Sequence, residues 1–259
     1  MLEKLNPNGF TNWEKKKNQK EKRNILAENE KLITEIEGLQ KKLFANKKHS
    51  ILVVLQGIDA SGKNGAMRSV FSNINPLGCR VYSYGKPTKE EYSHDFLWRI
   101  HQNTPGKGMI HVFNRSHYED ILVPTVENLF SNDIISRRYD HINNFERMLT
   151  DSGVIILKFY LHISKEEQLE RLIERVEKKR KHWKHQDDDW ETRKKWDRYM
   201  EVYEQIFSRC NEVPWHIVPS NRNWIKVNTI AKVLHKTLKD LKLDWPALET
   251  EKFNNKVNS

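Results

Sequence analysis

The sequence lacks the features that mark secreted, metal-stapled or membrane proteins. Only two of its 259 residues, Cys79 and Cys210, are cysteines, and they lie far apart without metal-ligand spacing. This pattern predicts reduced structural thiols rather than a disulfide framework. No apolar run approaches the ~20 residues of a membrane span, and the N-terminus has no apolar core typical of a signal peptide. We therefore expect a cytoplasmic protein that binds no membrane.

Positive charge is what the chain has in excess. Lysine and arginine number 45 against 35 aspartate and glutamate, which gives a formal net charge of +10. A field of this sign favours polyanions, namely nucleic acid, acidic membranes or phosphate-rich small substrates. The length predicts one large domain over residues 1–259, carrying a small mobile insertion.

The apolar pattern predicts an alternation of strands and helices. Between about residues 15 and 48 the apolar spacing predicts a leading amphipathic helix. Five continuous apolar runs follow: "ILVVL" (51–55), "CRVYSY" (79–84), "MIHVF" (109–113), "VIILKFYLHI" (154–163) and "WHIVP" (215–219). Such runs are typical of strands buried on both faces of a parallel sheet. We predict an α/β three-layer fold whose ligands bind beyond the carboxyl ends of the strands.

The loop "GIDASGKNG" after the first run nearly matches the phosphate-binding pattern G-x-x-x-x-G-K-[ST]. Gly57, Gly62 and Lys63 are in register, but Asn64 replaces the hydroxyl that normally holds magnesium. The glycines allow backbone N–H groups to turn around an anion, and Lys63 adds a mobile charge. Asn64 and Gly65 still fit a phosphate cradle, whereas the alternative is a plain glycine-rich turn.

Asp59 is an unexpected residue in such a loop. A carboxylate among donors aimed at phosphate would repel the ligand unless a divalent cation lay between them. The alternative is that Asp59 caps the following helix or accepts backbone N–H groups.

The segment "FNRSHYEDILV" follows the third run. Many phosphate-loop enzymes have a magnesium-binding acid where this chain has Asn114. Arg115 at the carboxyl end of a strand can grip phosphate in a fork, or alternatively pair with Glu119 or Asp120. His117 fits a structural role as well as a ligand contact. Asp120 could bind metal, orient Arg115 or cap a helix.

Residues 164–196 predict a basic, helical lid. Ser164 and Glu167 fit a capping box, and Arg171 and Arg175 begin a basic helical stripe. Pairing with nearby glutamates would make this stripe an ordinary solvated face. The cations that follow outnumber the local acids and favour a long polyanion as the ligand: Lys178, Lys179, Arg180, Lys181, His182, Lys184 and His185. Residues 187–189, three aspartates, precede a helical pattern, so we interpret them as helix-start acids rather than a metal cluster.

The chain resembles the second family of polyphosphate kinases. The resemblance lies in three segments that occur in this order: "GIDASGKNG", "FNRSHYEDILV" and "LERLIERVEKKRKHWK". The likeness is strongest to the subclass acting on nucleoside mono- and diphosphates, and covers roughly Phe10 to Trp245. It implies a P-loop kinase-like (thymidylate-kinase-like) α/β fold with a central parallel five-stranded sheet and a helical lid. It also implies reversible, Mg²⁺- or Mn²⁺-dependent transfer of the terminal phosphate of inorganic polyphosphate to AMP or ADP.

The residue patterns and this resemblance together assign expected roles to residues. Asp59 would serve the metal, with Asp120 as a second candidate, and Lys63, Arg115 and Arg171 would neutralise the transferring phosphate. The residues expected to bind the nucleotide are Asn114, Arg115, His117 and Asp120. Those expected to bind polyphosphate are Gly62, Lys63, Asn64, Gly65, Arg68, Arg175, Lys178 and Lys181. Relatives that prefer diphosphate acceptors typically have aspartate at the position of Asn114, which favours a monophosphate acceptor here.

The expected partners are inorganic polyphosphate and AMP, ADP or ATP, with guanine nucleotides as further candidates. We expect no nucleic acid partner, and a homo-oligomer, either a dimer or a tetramer. One alternative is an ATP-dependent nucleoside monophosphate kinase, but the excess of lid cations and Asn64 speak against it. A nucleic-acid-binding protein is the other, and it leaves the phosphate loop unexplained.

Overall fold

Five parallel strands form the centre of the fold. The computed structural model describes residue 2, residues 5–9 and residues 19–248. The strands are β1 (Ser50–Gln56), β2 (Cys79–Ser83), β3 (Ile110–Asn114), β4 (Val154–His162) and β5 (Trp215–Pro219). Their order in the sheet is β2-β3-β1-β4-β5, and each neighbouring pair is parallel. The predicted parallel sheet is confirmed, with each strand end within one residue of its expected position.

Helices connect the strands and cover both faces of the sheet. They are α1 (Gln19–Asn46), α2 (Lys63–Phe71), α3 (Lys89–Ser93), α4 (Trp98–His101), α5 (Glu119–Val126), α6 (Asn132–Asp151), α7 (Lys165–Glu177), α8 (Asp188–Lys194), α9 (Trp196–Arg209) and α10 (Asn223–Asp240). The predicted leading helix is confirmed as α1, although its expected residues 15–18 lie outside the described residues. Within the described part of the chain, no helix is both long and apolar enough to cross a membrane.

The central strand β1 shows how the three layers form. Its seven residues are all buried, and alternate side chains point to opposite faces of the sheet. Ile51, Val53 and Leu55 pack into a core shared with α1, α2 and α10. Leu52 and Val54 pack into a second core shared with α5, α6 and α9. Apolar residues on both faces explain why the run is continuous rather than alternating.

The predicted lid consists of α7, a 3-10 turn (Lys179–Lys184) and α8. The Ser164 hydroxyl accepts the Glu167 N–H at 3.2 Å, so the predicted N-cap is confirmed. The reciprocal half of the capping box was wrong, because the Glu167 carboxylate pairs with Arg171 instead. Asp188 and Asp189 lie in the first turn of α8, which confirms their interpretation as helix-start acids.

Candidate functional site

The loop between β1 and α2 has the backbone of an anion cradle. Gly57 and Gly62 have φ values of 148° and 97°, which residues with a side chain rarely adopt. Gly62 lies immediately before the first residue of α2, so the free N–H groups of that helix face the loop. The glycines singled out in the sequence are therefore needed for the loop's shape.

Lys63 begins α2 and folds back over the loop. Its side chain is buried, and Nζ donates to the carbonyl oxygens of Gly57 at 2.5 Å and Ile58 at 3.3 Å. Burial, together with the charge of the nearby Arg115, lowers the pKa of Lys63 to about 8. The ammonium is thus held at the loop by neutral acceptors, which a phosphate oxygen can replace.

Asp59 and Arg115 form an ion pair across the site. Burial tends to raise the pKa of Asp59, but the charges of Arg115 and Lys63 outweigh it and hold this pKa below its usual value. Arg115 has a φ of 62°, and Ala60 in the loop has a φ of 64°. Two residues with side chains therefore occupy left-handed backbone conformations at one site, as is common at functional sites.

Glu119 is a second acid beside Arg115. It is the largest influence raising the pKa of Arg115. Burial raises the pKa of Glu119 itself, although Arg115 and Lys63 oppose this. With its amide turned to satisfy both neighbours, Gln56 donates to Glu119 Oε1 at 3.0 Å. Sequence reasoning considered Glu119 only as a partner of Arg115. Its position just after the carboxyl end of a predicted strand was the signal that it could belong to the site.

Asn114 links the carboxyl ends of three elements. Its Nδ2 donates to Asn64 Oδ1 and to Ser83 Oγ, both at 3.1 Å. The loop after β1, the end of β2 and the end of β3 therefore meet at one sheet edge, as the sequence predicted. Among the described residues the buried Asn114 Oδ1 atom has no hydrogen-bond partner, so a small rotation of the amide would be needed before it could accept from a ligand.

Asp120 does not orient Arg115. Its Oδ2 instead accepts from Arg99 Nη2 at 3.0 Å, and its backbone oxygen accepts from Arg138 Nη1 at 2.5 Å. Burial raises the pKa of Asp120, although Arg99 opposes this. Of the three alternatives left open for Asp120, orientation of Arg115 is the one that this geometry does not support, because buried Arg99 binds its carboxylate. Sequence reasoning missed Arg99 and Arg138, which lie far from any motif; the metal role of Asp120 stays a prediction.

His117 lies in the core rather than at the site. Its ring is fully buried, and Nε2 lies 3.2 Å from Glu146 Oε1. The same carboxylate accepts from the Tyr118 hydroxyl at 2.6 Å and from Lys158 Nζ at 2.7 Å. A fully buried ring cannot contact a nucleotide in this conformation, so the structural alternative for His117 is the one that the geometry supports.

Arg171 clamps α7 onto the phosphate loop. Its Nε donates to Glu167 Oε1 at 2.8 Å, Nη1 to the Ala60 carbonyl at 2.9 Å, and Nη2 to the Ser220 carbonyl at 2.6 Å. The guanidinium thus joins the lid to the ends of β1 and β5. The contact of Arg171 with the loop agrees with a position near the transferring phosphate. Its hydrogen bonds to the two backbone carbonyls show that it also holds these elements together.

The lid cations are partly neutralised within the lid. Arg175 pairs with Asp189 of α8, and Glu174 pairs with both Lys178 and Lys181. Hydrogen bonds from these two lysines, that of Lys178 first, lower the pKa of Glu174 to about 2. One glutamate cannot neutralise two lysines, so the predicted excess of positive charge in this segment remains, although Lys178 and Lys181, both assigned to polyphosphate, share a local partner.

Other cations converge where the lid faces α2. Burial lowers the pKa of Lys184, and the charges of Arg68, Lys181 and Arg175 lower it further. Arg68 of α2 therefore lies close enough to the lid for its charge to affect Lys184, as the lid cations do. Among the described residues, the side chains of Lys179 and Arg180 form no ion pair. These groups together form an electropositive surface beside the loop.

Lys226 of α10 is a cation that sequence reasoning missed. It is buried, and its Nζ donates to the Gly62 carbonyl at 3.1 Å. The signal was present in "NWIKVNTIAKVL", because Lys226 shares a helical face with the buried Ile230 and Leu234. A lysine on an apolar face calls for an explanation.

The acids at the site suit a metal ion that arrives with phosphate. In the described residues, no group of three histidine, cysteine, aspartate or glutamate side chains is arranged to hold a metal. Mg²⁺ is usually held by one or two carboxylates together with substrate phosphates, rather than by a preformed protein cage. Burial raises the pKa of Asp189, and the nearby Asp59 carboxylate raises it further. The donor set therefore fits a divalent cation shared between Asp59 and a phosphate chain.

Comparison with known proteins gives consistent matches over nearly the whole chain. Residues 17–244 match the family model "Polyphosphate kinase 2". An AMP/ADP-polyphosphate phosphotransferase of Meiothermus ruber is 48% identical over 217 residues, which are 83% of this chain and 81% of that protein. An ADP-polyphosphate phosphotransferase of Rhodopseudomonas palustris is 38% identical over 229 residues, 83% of this chain and 79% of that protein.

A solved structure shows the same architecture. The crystal structure of polyphosphate kinase 2 from Arthrobacter aurescens TC1 superimposes with a TM-score of 0.91 at 36% sequence identity. The match covers 100% of this chain and 93% of that one. The helical lid and the loops at the carboxyl edge of the sheet therefore belong to an architecture that has been observed by crystallography.

Proposed function

Because the chain belongs to the polyphosphate kinase 2 family, we propose that it transfers the terminal phosphate of inorganic polyphosphate to AMP or ADP, reversibly. The chain is a polyphosphate kinase of the P-loop kinase-like α/β fold, and its family is of the kind that uses a divalent metal ion. We propose Mg²⁺, or Mn²⁺, as this ion. The names of the two relatives support AMP and ADP as acceptors.

One observation carries the proposal: cations surround the phosphate loop from several elements. Lys63 lies on the loop, Arg115 pairs with Asp59 across it, and Lys184 lies near Arg68 beside it. An acceptor phosphate oxygen is already ionised at neutral pH, so the chemistry needs no strong general base. The barrier is repulsion between two anions, which positioned cations reduce by stabilising the equatorial oxygens of the transferring group.

We assign the donor chain to the loop and the lid. The backbone N–H groups around Gly62, Asn64 and Gly65 would cradle the terminal phosphates. Arg68, together with the lid residues Arg175, Lys178 and Lys181, would hold the rest of the chain, and the ion pairs with Asp189 and Glu174 would open to release these cations. A bound metal ion would neutralise phosphate charge beside Asp59.

We assign the acceptor to the edge formed by β2 and β3. Arg115 would leave Asp59 to grip the acceptor phosphate in a fork, and the Asn114 amide oxygen, which lacks a partner among the described residues, would rotate to accept from a donor group. Asp120 would contribute indirectly, by accepting a hydrogen bond that holds Arg99 in place. Arg171 would complete the neutralisation while keeping the lid on the loop.

The decisive test offers the acceptor and the metal ion with each possible donor. AMP or ADP is incubated with Mg²⁺ and either long-chain polyphosphate or ATP, and the products are separated over time. Polyphosphate-dependent formation of ADP and ATP supports the proposal. Transfer from ATP alone would identify an ATP-dependent nucleoside monophosphate kinase instead. Repeating the assay after removal of divalent cations by a chelator, and then with Mg²⁺ or Mn²⁺ restored, tests the metal.

Two expectations stay predictions at this point. Acceptance of guanine nucleotides is measured by replacing AMP with GMP in the same assay. Assembly into a dimer or tetramer is measured by light scattering coupled to size-exclusion chromatography.

A further inference from the structure

Lys226 rests against the backbone of the phosphate-binding loop. It is 1% exposed, and its Nζ donates to the Gly62 carbonyl at 3.1 Å and to Asn223 Oδ1 at 2.8 Å. A Cβ atom added to Gly62 would lie 2.4 Å from this nitrogen, and one added to Gly65 would lie 3.5 Å from it. The ammonium group is therefore packed against the turn that starts α2.

The charge of Lys226 lacks a counter-ion. Among the described residues it forms no ion pair, and the charged side chains that act on it are Arg171 and Glu167 of α7. Arg171 repels it, while the Glu167 carboxylate is engaged by Arg171 Nε at 2.8 Å. Burial, together with the charge of Arg171, lowers the pKa of Lys226 to about 7. Buried charges in proteins are normally paired, so this group is suited to receive an anion.

Neither hydrogen bond of Lys226 is needed to satisfy its acceptor. The Gly62 carbonyl also accepts the Ala66 N–H at 3.0 Å, which is the first ordinary bond of the helix. Asn223 is exposed, so water can replace the lysine there. An apolar side chain of the same length would suit this buried position at least as well. Stability of the fold therefore does not explain why a lysine stands here.

We propose that Lys226 is a positioning residue of the phosphate-binding loop, which holds the Gly62 carbonyl and places an unpaired positive charge behind the turn that receives polyphosphate. The inference rests on the proposed function and deepens it. An arriving phosphate chain supplies the missing negative charge. Because this charge favours the ammonium form, the fraction of molecules in which Lys226 is neutral takes up a proton from solvent on binding.

Kinetics of matched variants test the proposal. Lys226→Met keeps the length of the side chain without its charge, and Lys226→Arg keeps the charge. Lys236→Met, on the exposed side of the same helix where Lys236 pairs with Asp240, is the control. Rates are measured against polyphosphate concentration at saturating acceptor. Lys226→Met should raise KM for polyphosphate by about tenfold, the scale of one hydrogen bond to a charged group. Lys226→Arg, which keeps the charge but must fit a larger head group into the same buried space, should raise KM less, and Lys236→Met should leave it unchanged.

Two further readouts separate positioning from a merely structural role. Lys226→Met should melt at the wild-type temperature or above it, since it removes a buried unpaired charge. Calorimetric titration with polyphosphate at pH 7.5, without acceptor and in buffers of different ionisation enthalpy, counts the protons taken up. Wild type should take up more protons than Lys226→Met, and this difference removes the contribution of Lys63, which both proteins retain.

The outcomes that would overturn the inference are distinct from failure of the proposed function. Equal KM and equal proton uptake in wild type and Lys226→Met would refute it. So would a lowered melting temperature in Lys226→Met together with a KM that returns to normal on cooling. A wild-type protein that transfers no phosphate from polyphosphate would instead overturn the proposed function, and that result is visible before any variant is made.

Discussion

Removing the charge of Glu146 should destabilise the protein more than removing any exposed charge. Glu146 and Lys158 are 1% and 0% exposed, and their atoms approach to 2.7 Å. The same carboxylate receives hydrogen bonds from the Tyr118 hydroxyl and His117. Glu146→Gln keeps the shape of the side chain but leaves the Lys158 ammonium buried without an anion.

The magnitude follows from this burial. Breaking a buried ion pair by removing one partner costs about 3–5 kcal/mol, because the other charge is left uncompensated. At about 3 °C per kcal/mol for a chain of this size, the melting temperature should fall by about 9–15 °C. The double variant Glu146→Leu/Lys158→Met should recover most of the loss, because it removes both charges together.

Urea unfolding at several pH values provides the measurement. Burial opposes ionisation of Glu146, but hydrogen bonds from His117 and the charge of Lys158 outweigh it and hold its pKa below the ordinary 4.5. A carboxylate with a lowered folded-state pKa stabilises the protein above pH 4.5, and this contribution is lost as the pH falls through the folded-state value. Glu146→Gln should lack this part of the pH dependence. A loss below about 1 kcal/mol, or a double variant less stable than the single one, would refute the reasoning.

Three other variants or conditions test the site. Lys63→Ala should slow transfer about 10²- to 10³-fold, the scale of one preorganised electrostatic donor, with an unchanged circular dichroism spectrum. Lys41→Ala, at an exposed position of α1, is the control, and near-normal turnover of Lys63→Ala would remove Lys63 from the mechanism. Arg171→Lys keeps the charge but cannot reach Glu167, Ala60 and Ser220 together, so both the transfer rate and, by about 1–3 kcal/mol, the stability should fall; loss of rate alone would assign Arg171 to the phosphate only. Because the pKa of Lys63 is lowered to about 8, kcat/KM for polyphosphate should decline as the pH rises through this value, and a profile that stays flat to about pH 9.5 would contradict the need for a charged Lys63 in the free enzyme.

The sheet was predictable because strands buried on both faces leave a strong pattern. The run 51–55 has no polar residue on either face, and it forms the centre of the sheet. The glycine pattern of the phosphate loop was predictable for a similar reason, since its backbone requires Gly57 and Gly62. These signals are local, so one sequence suffices to find them.

Contacts between distant segments were not predictable in this way. His117 is next to site residues in sequence, but its ring turns inward to Glu146, which lies on the distant helix α6. Asp120 meets Arg99 for the same reason. A charged residue can choose among many partners, and only the packing of the elements decides between them. Lys226 could have been found from its apolar neighbours, yet its contact with Gly62 depends on how α10 crosses the loop.

The left-handed backbone at Arg115 has a consequence for laboratory evolution of this enzyme. A side chain at a φ of 62° costs about 1 kcal/mol, which glycine would not incur. Glycine at this position would relieve that cost, but it would leave the Asp59 and Glu119 carboxylates without the Arg115 cation, which is the larger loss. In a library at this position, a screen for stability and a screen for turnover should therefore both retain arginine, in spite of its backbone conformation.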